Sequence, residues 1–178
     1  MTPVRRAWRG FSRGGPQERV AFLLSLGVAE LALLVPFVGK GAWGLAAASL
    51  SVGGLWAVGH LRGLSVAHGG FLGFLTLGAL GTLLGWKEPM LIGTVAALAA
   101  WDLDRFARRL RSVGRVEDRE GLWALHLRRL LPTLGVGLLL GGIALEGRIA
   151  LGLWGAILLG GLGFWGIAQL LRWLRSLD

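Results

Sequence analysis

Glu30 stands near the middle of an apolar run from Val20 to Val38. At helical rise it lies roughly 15 Å from the start of the run, close to the centre of a hydrocarbon layer. A carboxylate there is costly and marks a functional position. The neutral, protonated acid is the cheaper form. Ser49, Ser51, Thr76 and Thr94 fall at similar depth in the next apolar runs, so they are candidate hydrogen-bond partners. The set reads either as a proton, cation or polar-substrate site, or as a neutral acid hydrogen-bonded between helices. Pro36, near the end of the same run, frees a carbonyl around Ala32, which would kink the helix end or line a cavity.

The other chemistry-bearing residues are sparse. His60 and His68 flank a short connection and would face each other across it. Two histidines are too few for a metal site, so they read as interfacial side chains, as does His126 beside Arg128 and Arg129. Asp102-Leu103-Asp104 has the form of a divalent-metal pair, but Arg105 and Arg108 compete for those carboxylates at helical spacing. Internal ion pairs are therefore expected, and no metal. Asp104, Arg108, Arg109 and Arg111 form a candidate docking face. Arg5, Arg6, Trp8 and Arg9 mix cations with aromatics beside a membrane helix, a pattern suited to anionic lipid. Topology accounts for the charge without nucleic acid.

Several chemistries are excluded. The chain has 0 Cys, which removes disulfides, thiol nucleophiles and Cys-ligated metal. It has no phosphate-binding Gly-Lys-Ser/Thr loop, Gly-x-Ser-x-Gly elbow or His-Glu-x-x-His motif. Neither an enzyme nor a cofactor is expected.

The elements that must position these residues are membrane helices. Hydrophobic residues make up 54% of the 178, with 31 Gly besides, and mean hydropathy is +0.63. A water-soluble core cannot hide that much apolar surface in so short a chain. Runs at Val20–Val38, Ala42–Leu61, Leu64–Trp86, Pro89–Trp101, Leu131–Leu145 and Ile149–Leu170 predict an all-α polytopic protein with six transmembrane helices. The fourth and fifth runs are short and continue as cytoplasmic extensions, forming a helical hairpin over about 102–130. There Phe106, Leu110 and Val113 recur at helical spacing, Ser112-Val113-Gly114 breaks the chain, and Glu117, Asp118 and Glu120 open the next helix. The basic segment 1–19 has no cleavage site and is expected to stay, ahead of the membrane domain 20–170 and the basic tail 171–178.

Charge sets the orientation. Of 19 Lys and Arg, an arrangement with both termini in the cytoplasm leaves only Lys40, Lys87 and Arg148 outside. Trp43 and Trp86 then mark the outer interface, and Trp101, Trp123 and Trp173 the inner one. The expected location is a prokaryotic cytoplasmic membrane. Scarce Asn, Gln, Cys and Met fit a thermophile, and codon bias toward Arg, Gly and Ala fits equally.

Gly69/Gly73, Gly81/Gly85 and Gly137/Gly141 are GxxxG pairs, joined by several other small-xxx-small pairs. They predict close helix packing within one chain, or a face for a partner or a second copy.

Ala99-Ala100-Trp101-Asp102-Leu103, then Phe106, Arg109-Leu110 and His126-Leu127-Arg128-Arg129-Leu130-Leu131, resembles small prokaryotic multi-pass membrane proteins. Their fourth helix closes on an Ala-Trp-Asp-Leu motif. The resemblance covers the central third of the chain. It implies a membrane component of a multi-protein system, some members being encoded near AAA-type ATPases and von Willebrand factor A-type proteins. It assigns no activity. Under it, the Trp101-to-Leu131 hairpin is the docking surface for a cytoplasmic partner. The expected function is a structural or accessory subunit of a membrane-associated complex. The alternative is a small proton- or cation-coupled transporter, or a substrate-binding membrane subunit, built on Glu30.

Overall fold

The computed structural model describes residues 16–112 and 119–146. These form five helices: α1 Pro16–Gly39, α2 Trp43–Arg62, α3 Ala67–Leu83, α4 Lys87–Ser112 and α5 Arg119–Glu146. Among the described residues there is no strand. The apolar run expected at Ile149–Leu170, Trp173, the segment Arg5–Arg9 and the acids Glu117 and Asp118 lie outside them.

Among the described residues three helical stretches are long and apolar enough to cross a membrane: Gln17–Gly39, Trp43–Arg62 and Glu120–Leu145. Ala67–Leu83 is apolar but shorter. Helix α4 changes character along its length. It begins at Lys87, carries Pro89 in its first turn, where a missing N–H costs nothing, and runs unbroken past Trp101 to Ser112. The change from apolar to charged sequence at Asp102 does not end the helix, because Asp, Arg and Leu alternate there with helical periodicity.

Short connections make α1 to α4 successive antiparallel neighbours. Each packs on the next, and α4 closes the ring against α1, while α1 and α3 touch across the diagonal. Gly41 and Gly63 turn the chain at φ 71° and 75°, left-handed values that favour glycine. The Gly63 N–H closes α2 onto the His60 carbonyl, and the Leu64 N–H onto the Gly59 carbonyl. The shared interior holds Phe22, Leu33, Phe37, Trp56, Phe74 and Met90, all essentially inaccessible.

Glycines set how closely the helices approach. A Cβ at Gly70 would fall on the Trp56 indole, one at Gly73 on Val52, and one at Gly93 on Leu33. Each GxxxG pair uses one glycine in this way. Gly73 seats Val52 while Gly69 is open. Gly81 seats Met90 while Gly85 takes φ 92° beyond the helix end. Gly141 seats Leu91 while Gly137 is open. Helix α5 meets α4 through side chains, Gly141 against Leu91 and Trp123 and His126 against Phe106.

Candidate functional site

Glu30 and Ser49 meet as expected. The Ser49 hydroxyl donates to Glu30 Oε1 at 2.8 Å, across the α1–α2 contact. Glu30 Oε2 is buried against Gly53, where any larger residue would strike it, and has no hydrogen-bond partner. The other three expected partners point elsewhere. Ser51 donates to the Ala47 carbonyl and Thr76 to the Leu72 carbonyl, both bonds within their own helices and exposed. Thr94 packs against Gly78 on the α3–α4 contact. The polar set of five is therefore a pair, with Gly53 as its floor.

Two of the grooves on the bundle are lined without Glu30. One, of about 480 Å³, lies between Val28, Leu31, Val35 and Pro36 of α1 and Pro89 and Ile92 of α4. Ala32, whose carbonyl Pro36 leaves free, also lines it. Its walls are apolar side chains, suited to a hydrocarbon chain rather than a polar solute. The second, of about 400 Å³, runs between α2 and α3 past Val52, Leu55 and Ser65.

The larger concentration of polar groups lies at the end of the bundle beside the α2–α3 turn. Asp104, fully buried, places Oδ1 2.7 Å from Nδ1 of His60. Its Oδ2 accepts a hydrogen bond from Arg108 one turn on. Arg108 donates in addition to the Leu64 carbonyl at 2.6 Å, in the turn after α2. Phe22 of α1 stacks on the His60 ring, centroids 3.8 Å apart and planes within 16°. One carboxylate thus ties α4 to α2, to the following turn and, through the ring stack, to α1.

Burial by itself raises the Asp104 carboxyl pKa. The His60 hydrogen bond, with the charge and hydrogen bond of Arg108, outweighs it and holds the group below its ordinary value.

Asp102 builds a second cluster on the other side of α4. Residues two apart on a helix point about 200° apart at 3.6 residues per turn, so Asp102 and Asp104 diverge. Asp102 Oδ2 lies 2.8 Å from His126 Nε2 of α5, within ion-pair distance. Phe106 stacks on that histidine, centroids 3.9 Å apart and planes within 2°. Trp123, buried on Phe106, completes the contact.

This arrangement corrects one of the two ion pairs expected in the Asp-x-Asp segment, that of Asp102 with Arg105. The two carboxylates face different helices and cannot share one ion. Among the described residues no group of three or more His, Asp or Glu is placed to hold a metal. The expected Asp104–Arg108 pair is present. Asp102 meets a histidine, and Arg105 instead lies over Trp101, 4.7 Å from its centroid. His60 and His68 do not form a facing pair: His60 is buried on Asp104, whereas His68 is exposed and edge-on to Trp101 at 5.9 Å.

Of the four residues expected at a docking face, Asp104 is inaccessible and Arg108 is engaged, while Arg109 is exposed and Arg111 half-buried. Sequence spacing within α4 located the Asp104–Arg108 pair. It held no signal for the histidine partners, which arrive from other helices. The chain matches no family model, no curated protein and no solved structure.

Proposed function

We propose that this chain is a multi-pass membrane protein acting as a structural or accessory subunit of a membrane-associated complex, with its α4–α5 hairpin presented to the cytoplasm. In this reading six helices span a prokaryotic cytoplasmic membrane with both termini inside, as the distribution of Arg and Lys favours. The observation that carries the functional reading is where the polar groups are spent. Asp104 hydrogen-bonds His60 of a neighbouring helix and Asp102 lies within ion-pair distance of His126 of another, with a phenylalanine stacked on each ring. That fixes the direction in which α4 and α5 leave the bundle, as a mounting for a partner requires. Arg109 and Arg111, beyond these contacts, are the docking cations. The resemblance of the Trp101–Leu131 region to membrane components of multi-protein systems points the same way.

The test is isolation of the tagged chain from its native membranes in mild detergent. A stoichiometric partner that is lost when Arg109 and Arg111 are both changed to Glu, with the fold unaltered, supports the reading. Recovery of the chain alone refutes it.

A second reading rests on one observation, the unpartnered Glu30 Oε2. A proton- or cation-coupled carrier would use that oxygen. Glu30→Gln then abolishes ion-coupled uptake in vesicles, whereas a subunit tolerates the change. The contact of Glu30 with Gly53 and the apolar character of both grooves favour the subunit.

A further inference from the structure

The divergence of Asp102 and Asp104 decides which arginines remain unneutralised. Asp104 is occupied by His60 and Arg108. Asp102 precedes Arg105 by three residues, a spacing that ordinarily brings opposite charges together on a helix. Here Asp102 lies within ion-pair distance of His126 on the α5 side, and among the described residues no carboxylate lies within ion-pair distance of Arg105.

The guanidinium carbon of Arg105 instead lies over the Trp101 ring, 4.7 Å from its centroid. That is cation–π distance. Among the described residues no hydrogen bond engages its N–H donors, and those are the donors that grip a phosphate in bidentate fashion. His68, exposed on the first turn of α3, stands edge-on to the same indole and adds a further donor. Phe71 closes the apolar side, 5.5 Å from the Trp101 ring.

We propose that Trp101, Arg105 and His68 form a binding site for the phosphate of an anionic phospholipid in the cytoplasmic leaflet. The proposal rests on the membrane placement argued above and not on the existence of a protein partner. Indole rings favour the headgroup level, and Arg105 follows Trp101 by about 6 Å along the helix axis. That puts its donors at phosphate depth, nearer the bilayer than Arg109 and Arg111. Depth selects a lipid over an acidic protein segment. The uncompensated charge selects an anionic lipid over a zwitterionic one, and exposed Arg62 and Arg109 add to the local positive potential.

The test is native mass spectrometry of the full chain in detergent, titrated with phosphatidylglycerol or phosphatidylcholine of matched acyl chains. The wild type is expected to retain phosphatidylglycerol several-fold more than phosphatidylcholine. Arg105→Gln is expected to erase that preference without lowering the melting temperature. Arg129→Gln, which removes an exposed charge on the neighbouring helix, is expected to keep it. His126→Ala releases Asp102 to pair with Arg105, and is expected to weaken the preference although His126 touches no lipid. A preference that survives Arg105→Gln, or falls equally with Arg129→Gln, overturns the site in favour of a diffuse basic rim. Equal retention of the two lipids by wild type overturns it in favour of a protein ligand for Arg105. Recovery of the chain without detergent would refute the membrane reading itself, a result distinct from all of these.

Discussion

His60 Nδ1 and Asp104 Oδ1 lie 2.7 Å apart although 44 residues separate them. The bond joins the last turn of α2 to the point where α4 becomes charged, and both side chains are buried. A buried carboxylate this well satisfied is costly to leave half-paired. Removing one partner strands the others in an environment that screens them poorly.

Asp104→Ala is therefore expected to destabilise the folded chain by about 3–5 kcal/mol. The loss falls on the α2–α4 contact, so thermal unfolding in detergent should shift down strongly, with new proteolytic sites near the α2–α3 turn. Asp104→Asn keeps the shape and one acceptor and should cost less. A melting temperature for Asp104→Ala within a degree or two of wild type would contradict the clamp.

The same group predicts an acid limb. Its pKa is depressed in the folded chain despite burial, because His60 and Arg108 favour the carboxylate. A depressed carboxyl contributes stability that is present above the unfolded pKa, near 3.9, and is lost as pH falls through the folded value. Wild-type stability should thus decline below about pH 4. Asp104→Asn should flatten that decline while lowering stability at neutral pH. Parallel acid limbs for the two proteins would assign the decline to other carboxyls.

Gly70 seats the Trp56 indole, and a Cβ there would overlap ring carbons. Gly70→Ala is expected to cost about 1–3 kcal/mol, the usual cost of overpacking. Gly69→Ala, one residue away and open, should be neutral or slightly stabilising through helix propensity. Matched thermal melts of the two variants check the prediction, and equal losses would place the helix contact elsewhere.

Glu30→Gln retains an acceptor for the Ser49 hydroxyl and nearly the same volume. Under the subunit reading it should change stability by no more than about 1 kcal/mol and leave partner recovery intact. Loss of an ion-coupled uptake activity in this variant would instead move the function to Glu30.

Much of this was legible along single helices. The apolar runs located α1 to α5, and the i,i+4 spacing located Asp104 with Arg108. Depth gave four candidate partners for Glu30, of which Ser49 bonds it. What sequence spacing could not supply is the rotation of one helix against another. Ser51, Thr76 and Thr94 share a depth with Glu30 but not a face, and His60 and His126 reach Asp104 and Asp102 from other helices. One signal lay in the spacing itself: acids two residues apart on a helix must diverge, and that divergence alone argues against a shared ion at Asp102 and Asp104. The seat of Trp56 on Gly70 had no such signal, because Gly70 belongs to none of the GxxxG pairs.

The subunit reading is tested most directly by photo-crosslinking in native membranes. A photoreactive residue at position 109 or 111 faces the proposed partner, and one at Leu55, exposed on the apolar flank of α2, serves as the comparison. The account predicts one discrete protein adduct of the same mass from both 109 and 111, and none from 55. No protein adduct from either arginine position, in a chain correctly inserted and folded, would contradict it.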